Sequence, residues 1–424
     1  MSQIEETNLI NTHEAQQFDV VVIGGGMVGA ACALGLHKVG YKVLVIERHP
    51  PTRLWFSASD YSPRVSALTR ASENILRNLG AWQGIQDRRL HPFVAMRIWE
   101  ANADEEVVFE AQSVREANLG YVVENNLIQS AIWDEMVKAE VAVMTGCELS
   151  SLEYDDTLYK SKIVLQSGQT VFADLVIGAD GAFSQVRQMA GIGLDQHDYA
   201  QCAVVGCVRT EGSHQDTCWQ RYREEGPFAF LAMEQNVSSI AWYLPIQKMQ
   251  WAMGLSDEAY RDEIFKASEG RLGRIVETWE RAAFPLTRRH AQHYIQSGLV
   301  LVGDAAHTVH PQAGQGVNLG LLDAASLVEV LTQAKEWRER PGDFSVLRRY
   351  ERWRRGDNLV VQRAMEGFDW LFEPDRGVKD QIRGKLLSFG NIVKPAKNWL
   401  IKQALNGREP LPKLAKIQHV SLFK

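Results

Sequence analysis

The chain has 424 residues, 45% of them hydrophobic and 23% charged, with a formal net charge of −6. That length allows two or three cores of ordinary domain size, and the mild acidity gives no electrostatic basis for binding nucleic acid. Five scattered cysteines, odd in number and without a CxxC pair, argue against a disulfide framework and a structural zinc site and fit a reducing, cytoplasmic setting.

Met1 to Gln17 is polar and reads as a tail, because no basic stretch leads into an apolar core as in a signal peptide. Val20 to Leu36 is uncharged and largely apolar, but it is rich in glycine and short of the ~20 residues a membrane span needs. A strand, a tight turn and a buried helix are predicted instead. Phe18 to Ile23 is a β-branched run suited to a buried parallel strand. It leads into Gly24-Gly25-Gly26-Met27-Val28-Gly29, a GxGxxG match, then a small-residue helix from Ala30 to Leu36. A second strand, Lys42 to Ile46, ends at Glu47. Gly24 permits the turn, Gly26 lets a pyrophosphate approach the backbone, and Gly29 lets helix and strand pack closely. The helix N-terminus offers N–H groups and a positive dipole end to phosphate, and Glu47 is placed to accept from a ribose. This unit binds a dinucleotide but does not separate NAD from FAD.

A second strand-and-turn unit follows in Leu175 to Arg187, where Gly181 permits a close turn, Ser184 is a candidate helix cap and Asp180 and Arg187 are placed to pair. The third unit is the most informative. Gly298 to Val302 reads as a strand ending in Gly303-Asp304-Ala305-Ala306-His307. A Pro/Gly loop through Pro311, Gly314 and Gly316 then opens a helix patterned by Ala324, Leu327, Val328 and Leu331. The acid suits a sugar or ribitol hydroxyl. The helix N-terminus suits the negative charge of a reduced flavin near N1 and the C2 oxygen.

In this order and spacing the three motifs resemble the flavoprotein aromatic hydroxylases of the para-hydroxybenzoate hydroxylase type, and most closely the hydroxylases of bacterial ubiquinone biosynthesis. Supporting stretches are Arg64 to Leu68, Leu119 to Asn125, Phe284 to His290 and the whole of Gly303 to Gly320, and the likeness runs from about Phe18 to Asn358. The resemblance implies an FAD enzyme in which Gly24, Gly26, Met27, Val28, Gly29 and Glu47 hold the ADP half. Arg64 lies near the pyrophosphate or ribose, and Asp304 near the ribitol–phosphate. Gly314, Gly316, Val317, Asn318 and Leu319 surround the pyrimidine edge, and Pro311 lies on the substrate side of the ring. Asp180 and Gly181 belong to a motif associated with FAD and nicotinamide handling. Gln129 stands where several relatives carry an arginine facing FAD.

The fold class expected is α/β: a discontinuous Rossmann-like FAD domain (18–90, 118–195 and 285–345), an antiparallel-sheet substrate domain (91–117 and 196–284) and a helical C-terminal region (346–424). The runs Ala95 to Trp99, Val107 to Glu110, Cys202 to Val208, Cys218 to Tyr222, Phe228 to Met233 and Ser239 to Leu244 supply the roof over the flavin. Between Arg376 and Lys402 seven basic residues and one acid alternate with apolar ones, a pattern that suits a membrane surface or an ordinary packed helix.

In this class the flavin carries the chemistry, and the resemblance implies ring hydroxylation of a polyprenylated phenol or benzoquinol with O2. His307 and His310 are candidates for phenol activation or for fixing the flavin loop, with Arg221 and Tyr222 as further candidates. No metal is called for. Gly191-Ile192-Gly193 does not make a second GxGxxG, so NAD(P)H would bind without its own Rossmann unit, or an electron-transfer protein would replace it. Other pathway enzymes are expected partners by resemblance. The wording around Gly120 to Asn125 and Phe284 to His290 favours 6-hydroxylation of a methoxy-methyl benzoquinol, and Met365 to Phe368 favours the C5-hydroxylating paralogue. A halogenase is disfavoured because Ala241-Trp242-Tyr243-Leu244-Pro245-Ile246 does not match WxWxIP. Rival readings are a prenyl-chain reductase, a non-enzymatic flavin-binding assembly subunit and an NAD dehydrogenase, the last leaving Gly303 to Gly320 unexplained.

Overall fold

The computed structural model describes residues 16–51, 60–100, 106–308, 316–372 and 409–417. Strand β1 (Gln16–Ile23) lies at the centre of a sheet, flanked by β2 (Val43–Glu47) on one side and the strand Thr170–Gly178 on the other, all parallel. Ala142–Thr145 and Leu299–Leu301 extend the parallel order outward. Val20, Val21 and Val22 are fully buried, as a strand covered on both faces requires.

Helix α1 (Met27–Lys38) is buried from Gly29 through Leu36. Its small residues let a second helix, Gly316–Glu336, cross closely: a Cβ on Gly35 would sit 2.8 Å from a methyl of Val328. The carboxyl ends of β1 and its neighbour Thr170–Gly178 lie side by side, where the chain switches from one side of β1 to the other. In sheets of this type ligands bind in that crevice.

A second sheet of eight strands forms the roof and contains every run the sequence suggested for it. Its pairings are antiparallel except between Thr217–Tyr222 and Ala95–Glu100, which run parallel. Alternation along the strands separates two faces. Cys202, Val204, Trp242 and Leu244 pack outward with Phe228, Phe230 and the helices Met249–Gly254 and Asp257–Ala267. Ala203, Val205, Ala241, Tyr243, Phe284 and Leu286 cluster on the other face.

Two features differ from the sequence expectation. Val65–Leu68, Gly120–Glu124 and His91–Phe93 make a separate three-stranded sheet. The strands Leu194–Thr210 and Ile275–Ala291 run unbroken across the boundaries placed at 195/196 and 284/285, and they pair with each other along most of their length. At the C-terminal side the helix Phe344–Phe372 is followed, among the described residues, by a short turn at Lys413–Ala415. That turn is held by Asn74, which donates to the Ala415 carbonyl at 3.0 Å. The basic stretch 376–402 lies outside the described residues.

Candidate functional site

The glycine turn is built by steric exclusion. Gly24 has φ of +101°, and a Cβ there would lie 2.5 Å from the Ala179 carbonyl oxygen. A Cβ on Gly29 would lie 1.9 Å from the Gly24 oxygen, so helix and turn can approach only through glycine. Gly26 is the opposite case: nothing lies within 4 Å of where its Cβ would be. That open space faces the first turn of α1, whose N-cap is Gly26 with no side-chain cap. A helix N-terminus left open beside bare backbone fits a phosphate.

The Gly25 peptide is fixed from both sides. Its N–H donates to the Glu47 carboxylate, whose other oxygen accepts from the His49 N–H at 2.7 Å. Its carbonyl accepts from Gln129 Nε2 at 3.0 Å and Trp133 Nε1 at 2.7 Å. Gln129 and Trp133 are one turn apart on the helix Asn125–Lys138, which places both on one face. Trp133 was missed in the sequence, although its i+4 spacing from Gln129 was available.

The second and third motifs meet the first here. Ser184 caps the helix Gln185–Met189, accepting from Arg187 N–H at 2.9 Å. Asp180 Oδ2 accepts from the Val186 N–H at 3.1 Å, while its Oδ1 is buried without a partner among the described residues. Arg187 donates to the Ala305 carbonyl at 2.8 Å and the Ala182 carbonyl at 3.1 Å, and it stays near enough to Asp180 for that charge to act on it. Gly181 has φ of +82° and open space around it. Val28, in the first turn of α1, packs between Gly303 and Gly320, where added Cβ atoms would lie 3.3 and 2.5 Å from its methyls. Residues nearly 300 positions apart are thereby brought to one crevice.

Asp304 is solvent-accessible but ringed by protein. Desolvation there pushes its carboxyl above the usual range, opposed by the charges of His307, Arg64 and Arg289. Accessible surface with dense surroundings marks a concave site. Arg64 also lies over Phe284, 5.4 Å from its ring centroid, which links Asp304 to the apolar face of the roof. Gly316, Val317, Asn318 and Leu319 form the first turn of the helix Gly316–Glu336. The Asn318 side chain accepts from Thr69 N–H and Ser72 Oγ and donates to the Ala67 carbonyl, anchoring that turn. Pro311, Gly314 and His310 lie outside the described residues. Arg221 is turned away from this crevice: it donates to the Ala267 carbonyl at 2.8 Å and pairs with Glu269 on the outer side of the roof.

His307 is only 2% exposed, and its Nε2 lies 2.5 Å from Asp323. Asp323 also accepts from the Gly303 N–H at 3.1 Å, Arg354 Nε at 2.8 Å and Asn358 Nδ2 at 3.1 Å. Burial alone would raise the Asp323 carboxyl, but the charges of His307 and Arg354 and their hydrogen bonds hold it below the usual carboxylate range. This arrangement supports a positioning role for His307. Nothing in the motif pointed to Asp323, though a lone acid within Leu321 to Val328, otherwise free of charge, is the mark of a buried pair. Behind it, burial and the charges of His307 and Arg355 lower His290 to about 4.

A possible metal cluster, His91, His214 and Asp216, lies elsewhere. Both ring nitrogens of His214 are already bonded, one to the Met233 carbonyl and one to the Asp216 N–H, so only two ligands remain.

The open cradle at Gly26, the uncapped α1 terminus and the unpartnered oxygen of Asp180 fit a phosphate-bearing, hydroxyl-rich dinucleotide, and the fold and site define an FAD-dependent oxidoreductase. The chain belongs to the FAD binding domain family, whose model matches residues 17–364. It is 41% identical over 354 residues to the 3-demethoxyubiquinol 3-hydroxylase of Escherichia coli (strain K12), covering 83% of this chain and 89% of that protein. It is 33% identical over 399 residues to the ubiquinone hydroxylase UbiL of Rhodospirillum rubrum, covering 92% and 91%. It is also 30% identical over 430 residues to the mitochondrial ubiquinone biosynthesis monooxygenase COQ6 of Homo sapiens, covering 91% and 92%. The crystal structure of p-nitrophenol 4-monooxygenase PnpA from Pseudomonas putida DLL-E4 has the same fold, with a TM-score of 0.74 at 21% identity over 93% of this chain and 99% of that one. The protein is a flavoprotein aromatic hydroxylase.

Substitution of the two glycines separates fold from cofactor. Gly29→Ala is expected to lower the thermal midpoint of the apoprotein sharply. Gly26→Ala leaves that midpoint near wild type but abolishes FAD retention, read by flavin absorbance after gel filtration. Trp133→Phe removes one hydrogen bond worth ~1 kcal/mol, so FAD titration should show roughly fivefold weaker binding. Asp323→Asn leaves buried cationic partners unmatched and should cost ~3–5 kcal/mol in denaturant unfolding. The lowered His290 contributes stability that is full above its unfolded value, ~6.5, and is lost as pH falls toward about 4. A thermal midpoint scanned over that window should decline in the wild type, with less slope in His290→Phe.

Proposed function

We propose that this flavoprotein hydroxylates the ring of a polyprenylated benzoquinol in ubiquinone biosynthesis, at the 6 position of 2-polyprenyl-3-methyl-6-methoxy-1,4-benzoquinol. The observation that carries the reading is the 41% identity to a protein named 3-demethoxyubiquinol 3-hydroxylase, on a chain whose glycine turn leaves open space at Gly26.

Bound FAD supplies the redox chemistry with O2, and the chain's residues do the rest. Met27, Val28 and Gly29 would present backbone N–H groups to the pyrophosphate, and Glu47, which fixes Gly25, would accept from the ribose. Asp304 accepts from the ribitol, with Arg64 and Arg289 balancing its charge. The turn from Gly316 to Leu319, at a helix N-terminus, would supply N–H groups to the pyrimidine edge. Ala203, Val205, Tyr243, Phe284 and Leu286 wall the ring pocket with apolar surface and exclude water from it. NAD(P)H is the proposed reductant, reaching the flavin without a Rossmann unit of its own.

The test supplies FAD-loaded protein, NAD(P)H and a short-chain prenyl methoxy-methyl benzoquinol, and measures oxygen uptake against product by mass spectrometry. One hydroxylated quinol per O2 is expected, and Asp304→Ala should purify without flavin colour. Uptake yielding only hydrogen peroxide would reject the substrate, and turnover of 2-polyprenylphenol to its C5-hydroxylated product in its place would assign the paralogous step.

A further inference from the structure

We infer that the buried pair Arg89–Glu124 is a positioning element of the cofactor site: it fixes the segment Asp60 to Arg64 and thereby sets the Arg64 guanidinium between Asp304 and the roof. Arg89 and Glu124 are 4% and 2% exposed. Arg89 stands between the helix Trp82–Gln86 and the strand His91–Phe93, and Glu124 ends the strand Gly120–Glu124. The contact is a fork: Arg89 Nε donates to Glu124 Oε2 at 2.7 Å and Nη2 to Oε1 at 3.0 Å.

A buried ion pair often stabilises no more than apolar side chains of the same volume, so what it adds here is direction. Three consecutive residues hang on it. The Asp60 carbonyl accepts from Arg89 Nη2 at 2.6 Å, and the Ser62 N–H donates to Glu124 Oε1 at 2.7 Å. Between them the Tyr61 ring lies under the guanidinium, its centroid 3.8 Å away. Tyr61 also meets Trp279 of the roof edge-on at 4.8 Å, and the Ser62 carbonyl accepts from Cys207 Sγ at 3.5 Å. Two residues on, the Arg64 carbonyl accepts from the Asn125 N–H at 3.0 Å, and Val65 pairs with Glu124 in the three-stranded sheet. Two residues span at most ~7 Å, so slack at Ser62 becomes slack at Arg64.

The Arg64 side chain is exposed, lies over Phe284 and acts by charge on Asp304. Around Asp304 the charges of His307, Arg64 and Arg289 favour the ionised carboxyl, while burial and Asp323 oppose it. Moving Arg64 away therefore raises the pH at which Asp304 takes up a proton. This pH dependence rests on the proposed reading of Asp304 as an acceptor from the ribitol, and the positioning of Arg64 does not.

The experiment titrates FAD into full-length protein stripped of its flavin, between about pH 5 and about pH 8, and follows flavin fluorescence. Arg89→Met with Glu124→Leu exchanges the pair for apolar groups of similar size and leaves the half-buried Ser62 N–H to water. This double variant should keep a thermal midpoint near that of wild type. It should bind FAD about tenfold more weakly, as should Arg64→Ala, and the three changes together should cost little more than either alone. The acid limb of FAD binding should move to higher pH by the same amount in all of these variants, whereas a merely loosened site would weaken binding at every pH without moving the limb. Trp133→Phe, which acts at Gly25, should keep its full effect in the double-variant background. Arg89→Lys keeps the charge matched but lacks the fork that reaches the Asp60 carbonyl, so it gives the same test at about threefold weaker binding should the double variant not fold. Full additivity of Arg64→Ala with the pair variants overturns the inference. So does a Trp133→Phe effect that vanishes along with it, because the whole site would then have loosened. An acid limb that stays in place in Arg64→Ala rejects the ribitol reading alone, since the coupling in affinity at about pH 8 is measured with carboxylates ionised.

Discussion

A carboxylate with no exposed surface sits against the turn from Gly303 to His307, and the third motif depends on it. Asp323 bonds to the Gly303 N–H, His307, Arg354 and Asn358. An isolated charge in that position would be strongly penalised, so the arrangement is stable only with every partner in place. The four partners come from the strand end, the loop after it and a helix further along the chain. Their joint demand fixes where Asp304 projects and where the helix Gly316–Glu336 begins.

The first motif is held by a different principle. At Gly24 and Gly29 the constraint is volume: backbone atoms stand where a methyl group would have to go. At Gly25 the constraint is directional, with Glu47 on one side of the peptide and Gln129 and Trp133 on the other. Val28 joins the two systems by filling the space between Gly303 and Gly320. Distant stretches of sequence are therefore tied together by contacts within the chain itself.

Local pattern carried much of this. Alternation and β-branching located β1, β2 and the roof strands, and glycine spacing located the dinucleotide turn, because those signals lie within a dozen residues. Long-range partners were not legible. Asp180 and Arg187 lie near one another as their spacing suggests, but the Arg187 bond to the Ala305 carbonyl, 118 positions on, was beyond local pattern. Arg354 and Asn358 look like ordinary helix residues until folding places Asp323 beside them. His307 reads as a catalytic candidate by residue type, whereas its burial and its partner support a positioning role. The strands Leu194–Thr210 and Ile275–Ala291 pass through 195/196 and 284/285 without a break, so no turn signal in the sequence marks a division there.

Those two strands have a mechanical consequence. Each is 17 residues long, and their shared ladder runs from beside the flavin motifs into the far part of the roof. Such a ladder is a beam, since bending it sharply would sacrifice several hydrogen bonds at once, and its irregular points curve it without cutting it. The roof and the sheet that carries the glycine turn are consequently joined by a continuous ladder, and a swing of one against the other would have to break it.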